Sequence, residues 1–169
     1  MRLIIPALLL LLIWPSSLLA EVRLLKDQAF VKEMFTQISQ AKRSIHISTF
    51  VFKTTKNRAN YANRLVQALI KKSKSGVKVV VVLEKSSYNR SINHANARTM
   101  KLLKGGGVDA RFDHPKKQSH AKLAIFDGVR IILGSHNLTD TAMRKSREVS
   151  LIMEDREKAQ ELILYIQGL

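Results

Sequence analysis

The sequence predicts an α/β fold in which a mixed β-sheet carries helices on both faces. An amphipathic stretch at 58–75, then Gly76, then the apolar run 77–83 reads as helix, stop and buried strand. Residues 91–104, the triplet Gly105-Gly106-Gly107 and residues 108–112 follow the same order. Apolar strands alternating with helices mark a layered sheet, because a strand buried on both faces needs cover on both. Further along, Asp127-Gly128 separates two strand-like runs and makes them an antiparallel hairpin, so the sheet is mixed.

In chain order, Asp27 is placed as the N-cap of a first helix in which Phe30, Val31, Met34, Phe35, Ile38 and Ala41 recur at helical spacing. Residues 44–52, Ser-Ile-His-Ile-Ser-Thr-Phe-Val-Phe, are β-rich and partly alternating, so they form a strand containing His46. A single histidine within a strand is read as a hydrogen-bonded structural residue. The helix at 58–75 turns Tyr61, Leu65, Val66, Leu69 and Ile70 to one side and cationic residues to the other; the helix at 91–104 uses Ile92, Ala95, Thr99, Leu102 and Leu103. The glycine triplet is a helix stop: it lacks the spacing and the following Lys-Ser/Thr of a phosphate-cradling loop. Residues 113–119 form a basic loop leading to His120. Beyond the hairpin, 138–145 are a loop or a short helix capped by Thr139 or Asp140, and 148–153 are a strand. Asp155 caps a last helix that packs Ala159, Leu162, Ile163 and Ile166 inward.

Residues 1–20 are set apart from this fold. Arg2, an apolar run broken by Pro6, and Trp-Pro-Ser-Ser-Leu-Leu-Ala before Glu21 have the layout of a secretory signal cleaved after Ala20. Leu18 stands where a small residue is usual, so an uncleaved membrane anchor is the alternative. Either places residues 21–169, read as a single domain, outside the cytoplasm, periplasmic or secreted, or tethered at a membrane. With 29 Lys and Arg against 13 Asp and Glu, the chain has a formal charge of +16. The expected partner is polyanionic, with nucleic acid ahead of an anionic membrane surface. Cysteine is absent, which excludes disulfides and thiolate metal sites.

The residues that carry chemistry lie between His120 and Asn137. A two-residue turn at Asp127-Gly128 pairs Phe126 with Val129, Ala124 with Ile131, Lys122 with Leu133 and His120 with Ser135. Because side chains alternate with period two, His120, Lys122, Ser135 and Asn137 then share one face at the open end of the hairpin. His136 alternates away. Asp127 lies about 23 Å from His120 at about 3.3 Å per residue, so its expected role is to fix the turn.

His120-x-Lys122-x4-Asp127 followed by Gly134-Ser135-x-Asn137 resembles the signature of the phospholipase D superfamily. A second His-x-Lys, His114-Pro115-Lys116, lacks the aspartate, since Ala121 occupies that position. Glu148 sits where single-motif members of the family carry a glutamate that hydrogen-bonds the catalytic histidine. The resemblance implies phosphodiester hydrolysis with no cofactor or metal, through a covalent phosphohistidine. His120 would be the nucleophile oriented by Glu148, Lys122 and Asn137 would bind the non-bridging oxygens, and Ser135 would assist. A neutral imidazole is a good nucleophile near neutral pH, and a fixed ammonium with amide donors stabilises charge building on phosphorus. This chain has one motif where many members have two. Its resemblance to short bacterial nucleases and to mitochondrial and piRNA-pathway members therefore implies a homodimer in which a second His120 serves as general acid.

Two enzymatic functions share this site, and the third class, non-enzymatic, is opposed by the intact His120, Lys122 and Asn137. A non-specific endonuclease would hold DNA or RNA by phosphate contacts from Lys85, Arg90, Arg98, Lys101, Lys104, Arg111, Lys116 and Lys117. Few aromatics, 6% of residues, argue for low sequence preference. A phospholipase would take phosphatidylcholine or cardiolipin headgroups at a bilayer. A non-catalytic nucleic-acid-binding module would need neither His120 nor Lys122. Charge and size favour the nuclease.

Overall fold

The computed structural model describes residues 21–114 and 117–169, so the proposed leader and Lys116 lie outside the described residues. Seven strands form one mixed sheet: β1 (Arg23–Lys26), β2 (Ser44–Thr49), β4 (Lys78–Leu83), β5 (Asp109–Phe112), β6 (Lys122–Phe126), β7 (Arg130–Gly134) and β9 (Val149–Glu154). Their spatial order is β1-β9-β7-β6-β2-β4-β5. β2, β4 and β5 run parallel, and β2, β6, β7, β9 and β1 are antiparallel neighbour to neighbour. The short strands β3 (Phe52–Lys53) and β8 (Leu138–Thr139) pair separately.

Helices α1 (Gln28–Gln40), α2 (Tyr61–Lys74), α3 (Arg90–Gly105) and α4 (Asp140–Arg144) belong to one face and α5 (Arg156–Gln167) to the other. On the first face Phe30, Met34, Leu65, Leu69, Leu103 and Met143 pack against Ile45, Ile47, Val79, Val81, Ala124 and Ile132. On the second, Ala159, Ile163 and Ile166 meet Val80, Val82, Leu123, Ile125 and Ile131. The alternation along β4 and β6 divides those side chains between two cores, as strands buried on both faces require.

The helix ends follow their capping residues. Asn60 accepts the N–H of Ala62 at 2.8 Å, Asn89 that of Ser91 at 3.1 Å, Thr139 that of Ala142 at 3.1 Å and Asp155 that of Lys158 at 2.9 Å. Asp27 occupies the N-cap position of α1, but its carboxylate accepts the Glu148 N–H at 3.0 Å instead of a helix donor. The strand read at 44–52 divides: β2 stops at Thr49, and Phe52 begins β3. β1, which no sequence signal announced, forms an edge of the sheet.

The hairpin register departs from expectation by one residue. Asp127 and Gly128 have the positive φ of 55° and 66° that the turn demands, and Val129 donates to the Phe126 carbonyl at 3.1 Å. Yet Phe126 pairs with Arg130, Ile125 with Ile131 and Leu123 with Leu133. Val129 is left out of the ladder because its carbonyl accepts from Asp155 at the β9–α5 junction, 3.0 Å away. One extra residue on one strand acts as a bulge and exchanges the faces of the β7 residues 130–134; β7 ends at Gly134, so the alternation does not reach Ser135 and Asn137. His120 is therefore not opposite Ser135, and Lys122 is not opposite Leu133.

Candidate active site

The C-terminal end of β2 and the N-terminal end of β6 meet where Thr49 pairs with Lys122. His120 lies two residues earlier, exposed, and Lys122 is half-buried. Lys122 Nζ sits 3.3 and 3.4 Å from the two ring nitrogens of His120 and donates to the His120 carbonyl at 2.7 Å. Phe50, in the turn after β2, forms a wall for both: its ring centroid is 4.5 Å from that of His120 and 5.3 Å from Lys122 Nζ. Phe50 is itself anchored, since Asn96 in α3 donates to its carbonyl at 2.9 Å.

Burial and this contact both disfavour the imidazolium. An ammonium against both ring nitrogens disfavours a second positive charge, and burial together with Lys122 holds the His120 imidazole below its ordinary value of 6.5. Burial also lowers the Lys122 ammonium, while the Glu148 carboxylate works against that shift. The cavity behind Lys122, bounded by Ser48, Thr49 and His136, is only about 10 Å³, room for about one water.

Ser135 and Glu148 form the neighbouring pair. Ser135 Oγ donates to Glu148 Oε2 and accepts the Val149 N–H at 3.1 Å. The Glu148 carboxylate is thus held by Ser135, and its charge reaches Lys122; it makes no hydrogen bond to His120. Asn137, half-buried, has an Oδ1 without a hydrogen-bond partner among the described residues. Gly134 is needed for backbone approach: a Cβ there would lie 2.5 Å from the Val149 carbonyl oxygen and collide with Ser150. That is the physical reason for glycine before Ser135.

Asp127 is remote from this end and fixes the turn: its carboxylate accepts backbone N–H groups of Lys42, Arg43 and Ser44 at 3.0, 2.7 and 3.0 Å. His136 is buried, stacks on Phe30 at 4.0 Å and meets Ser150 Oγ through Nδ1 at 2.7 Å. His46 is buried on the α5 side of the sheet, but neither ring nitrogen has a hydrogen-bond partner among the described residues, so it is structural by packing. His94 and His114 are exposed. Arg111 departs from the anticipated basic surface. Its guanidinium caps α5 through the carbonyls of Ile166, Gln167 and Leu169 at 3.0, 3.1 and 3.3 Å. Arg90, Arg98, Lys101 and Lys104 stand exposed along α3. Among the described residues no three His, Asp or Glu side chains converge as a metal cage, and no helix is long and apolar enough to cross a membrane.

Sequence reasoning missed Phe50, and the signal was faint: an aromatic at the end of a strand normally reads as core. It also missed Glu84 and Asp113, which lie apart in sequence and are brought together by adjacent parallel strands.

Over residues 34–169 the sequence matches the family described as cardiolipin synthase, PLD-like domain. A phospholipase D of Rickettsia felis is 26% identical over 132 residues, covering 78% of this chain and 60% of that protein. A mitochondrial cardiolipin hydrolase of Mus musculus is 29% identical over 131 residues, covering 78% of this chain and 53% of that protein. The chain thus spans 60% or less of the length of these two relatives. Among solved structures, Nuc, a phospholipase D family member from Salmonella typhimurium, superposes with a TM-score of 0.73 at 22% identity, covering 88% of this chain and 92% of that one. NucT from Helicobacter pylori superposes with a TM-score of 0.65 at 18% identity, covering 88% and 94%. These two share the mixed sheet and its helices. With the family match running through every residue of the His120–Asn137 signature, the chain belongs to the phospholipase D superfamily as a PLD-like domain.

Proposed function

We propose that this chain is a metal-independent phosphodiesterase that hydrolyses nucleic-acid phosphodiester bonds, in DNA or RNA, through a covalent phosphohistidine. The observation that carries the reading is the Lys122 ammonium set against an exposed His120 imidazole whose protonation it disfavours. A ring nitrogen of His120 attacks phosphorus, the bond to the leaving oxygen breaks, and that oxygen takes a proton from an acid. That acid starts protonated while the attacking His120 is neutral; in the second step it takes a proton from water, which attacks the phosphoramidate and frees His120. Lys122 stabilises the negative charge on the non-bridging oxygens, which is the electrostatic work that a divalent cation does elsewhere. Asn137 adds an amide donor, and Ser135 and Glu148 hold each other beside Lys122. The acid comes from His120 of a second copy across a two-fold axis, because one chain supplies one such histidine.

Nucleic acid is favoured as substrate by the +16 charge and by the exposed cations of α3. The second reading is a phospholipid headgroup phosphodiester. It is supported by relatives named phospholipase D and mitochondrial cardiolipin hydrolase, and by an N-terminal segment whose composition suits a leader or an anchor. Purified protein is incubated in excess EDTA with plasmid, single-stranded RNA, and phosphatidylcholine or cardiolipin vesicles. Cleavage of plasmid or RNA is expected. Headgroup release with intact nucleic acid would transfer the assignment to phospholipid, and activity abolished by EDTA would overturn the metal-free chemistry.

A further inference from the structure

Immediately before His120, the backbone N–H of Ser119 donates to Glu84 Oε2 at 2.7 Å. Glu84 follows the last residue of β4 and is 2% exposed; Asp113 follows the last residue of β5 and is 5% exposed. These parallel strands pair Leu83 with Phe112, which sets the two carboxyl groups side by side beneath the loop that leads to the site. Asp113 Oδ1 accepts the Lys85 N–H at 2.8 Å, whereas Oδ2 is buried with no hydrogen-bond partner among the described residues. Two buried carboxylates, both acceptors, cannot satisfy each other. One proton between them can.

We propose that Glu84 and Asp113 are positioning residues: they form a carboxylic acid–carboxylate pair that clamps the His120 loop to the sheet and loosens it when the shared proton is lost to solvent. This rests on the reading of His120 as the reacting side chain. The groups around the pair are consistent with a retained proton. α3 presents the neutral Asn96, whose amide donates to the Glu84 carbonyl at 2.9 Å. The Lys85 ammonium lies over Phe112, 5.6 Å from the ring centroid. His114, Lys117 and Tyr165 line the small cavity on the other side of Asp113. Burial, then the Asp113 carboxyl beside it, pushes the Glu84 carboxyl up to about 7, against the Ser119 donor, which pulls it down. The clamp is therefore complete in mild acid and opens across neutrality.

Glutamine is the isosteric probe: it keeps an acceptor for Ser119 and a donor for Asp113 but does not titrate. Two measurements are made on wild type, Glu84→Gln and Glu84→Ala from about pH 5.5 to 8.5. The first is kcat and KM for bis(p-nitrophenyl) phosphate. The second is amide hydrogen exchange at Ser119 and His120, expressed as protection relative to the unstructured rate. Wild-type kcat should decline above neutrality by up to about tenfold per pH unit with KM little changed, and protection should fall over the same range. Glu84→Gln should flatten the protection profile and leave in kcat only the decline that deprotonation of the His120 acid imposes, and Glu84→Ala should lower kcat and protection throughout. A pH-dependent fall in protection that persists in Glu84→Gln, or wild-type protection that does not change with pH, would overturn the clamp. If no phosphodiester is turned over by wild type, the catalytic reading fails and the protection profiles alone decide the clamp.

Discussion

Asp127 Oδ1 lies 2.7 Å from the backbone nitrogen of Arg43, joining the tip of the β6–β7 hairpin to the residue just before β2. The same carboxylate takes the N–H groups of Lys42 and Ser44, and the Asp127 N–H returns a bond to the Ser44 carbonyl at 2.8 Å. The aspartate of the motif thus fixes, from the far end of the strands, the β2–β6 pairing that sets Thr49 beside Lys122.

Asp127→Asn is expected to lower stability by about 2–4 kcal/mol, because charge-assisted bonds to backbone donors contribute about 1.5–3 kcal/mol each and an amide retains part of them. Folded protein should keep turnover near wild type. Burial alone would raise the Asp127 carboxyl, but the Arg43, Lys42 and Ser44 donors outweigh it and hold it below 3.8. Its contribution is present above the unfolded-state value and is lost as pH falls through the folded one. Urea titrations of both proteins from pH 7 downward check this: the stability gap should narrow in acid.

The acid side of the rate profile should report His120. Its imidazole is held below 6.5 first by burial and then by Lys122, so the neutral form that attacks in the proposed reaction persists to lower pH than in an ordinary imidazole. Lys122→Met should abolish turnover and raise the His120 value toward 6.5, as followed by NMR of the imidazole protons. An unchanged His120 titration would separate the two residues electrostatically.

Much of this arrangement was legible in the sequence. Helix, glycine and strand succession gave the layers, and the motif spacing located His120 and Lys122. The register was not legible, because Val129 leaves the ladder for Asp155, a partner that only the docking of α5 supplies. β1 was hidden for a similar reason: in Arg-Leu-Leu-Lys only Leu25 is buried, and it pairs with a strand more than a hundred residues away. Glu84 and Asp113 read as ordinary strand-end carboxylates until β4 and β5 are neighbours.

Gly134→Ala tests the close approach of β7 to β9. The added methyl meets Ser150 and the Val149 carbonyl, which belong to the partner strand and cannot simply rotate away. A loss of about 1–3 kcal/mol is expected, with reduced activity because Ser135 and Glu148 move with those strands. Thermal melts alongside turnover measure both effects.

Arg111 and the α3 cations should behave oppositely. Arg111→Ala removes donors from the α5 C-terminus and should lower stability by about 1–2 kcal/mol without altering the salt dependence of nucleic-acid binding. Arg98→Ala and Lys101→Ala should leave stability unchanged and each reduce the salt slope by about 1. Binding isotherms at several salt concentrations distinguish the two classes.

In the proposed reaction His120 itself bonds to phosphorus while Lys122 replaces a metal. Rapid acid-free denaturation of enzyme during turnover in excess EDTA, followed by mass spectrometry, tests it most directly. An acid-labile phosphoramidate that still carries one substrate ester is expected on the peptide containing His120, absent in His120→Ala. Sustained turnover with no adduct at His120, or an adduct that forms only when a divalent cation is supplied, would contradict it.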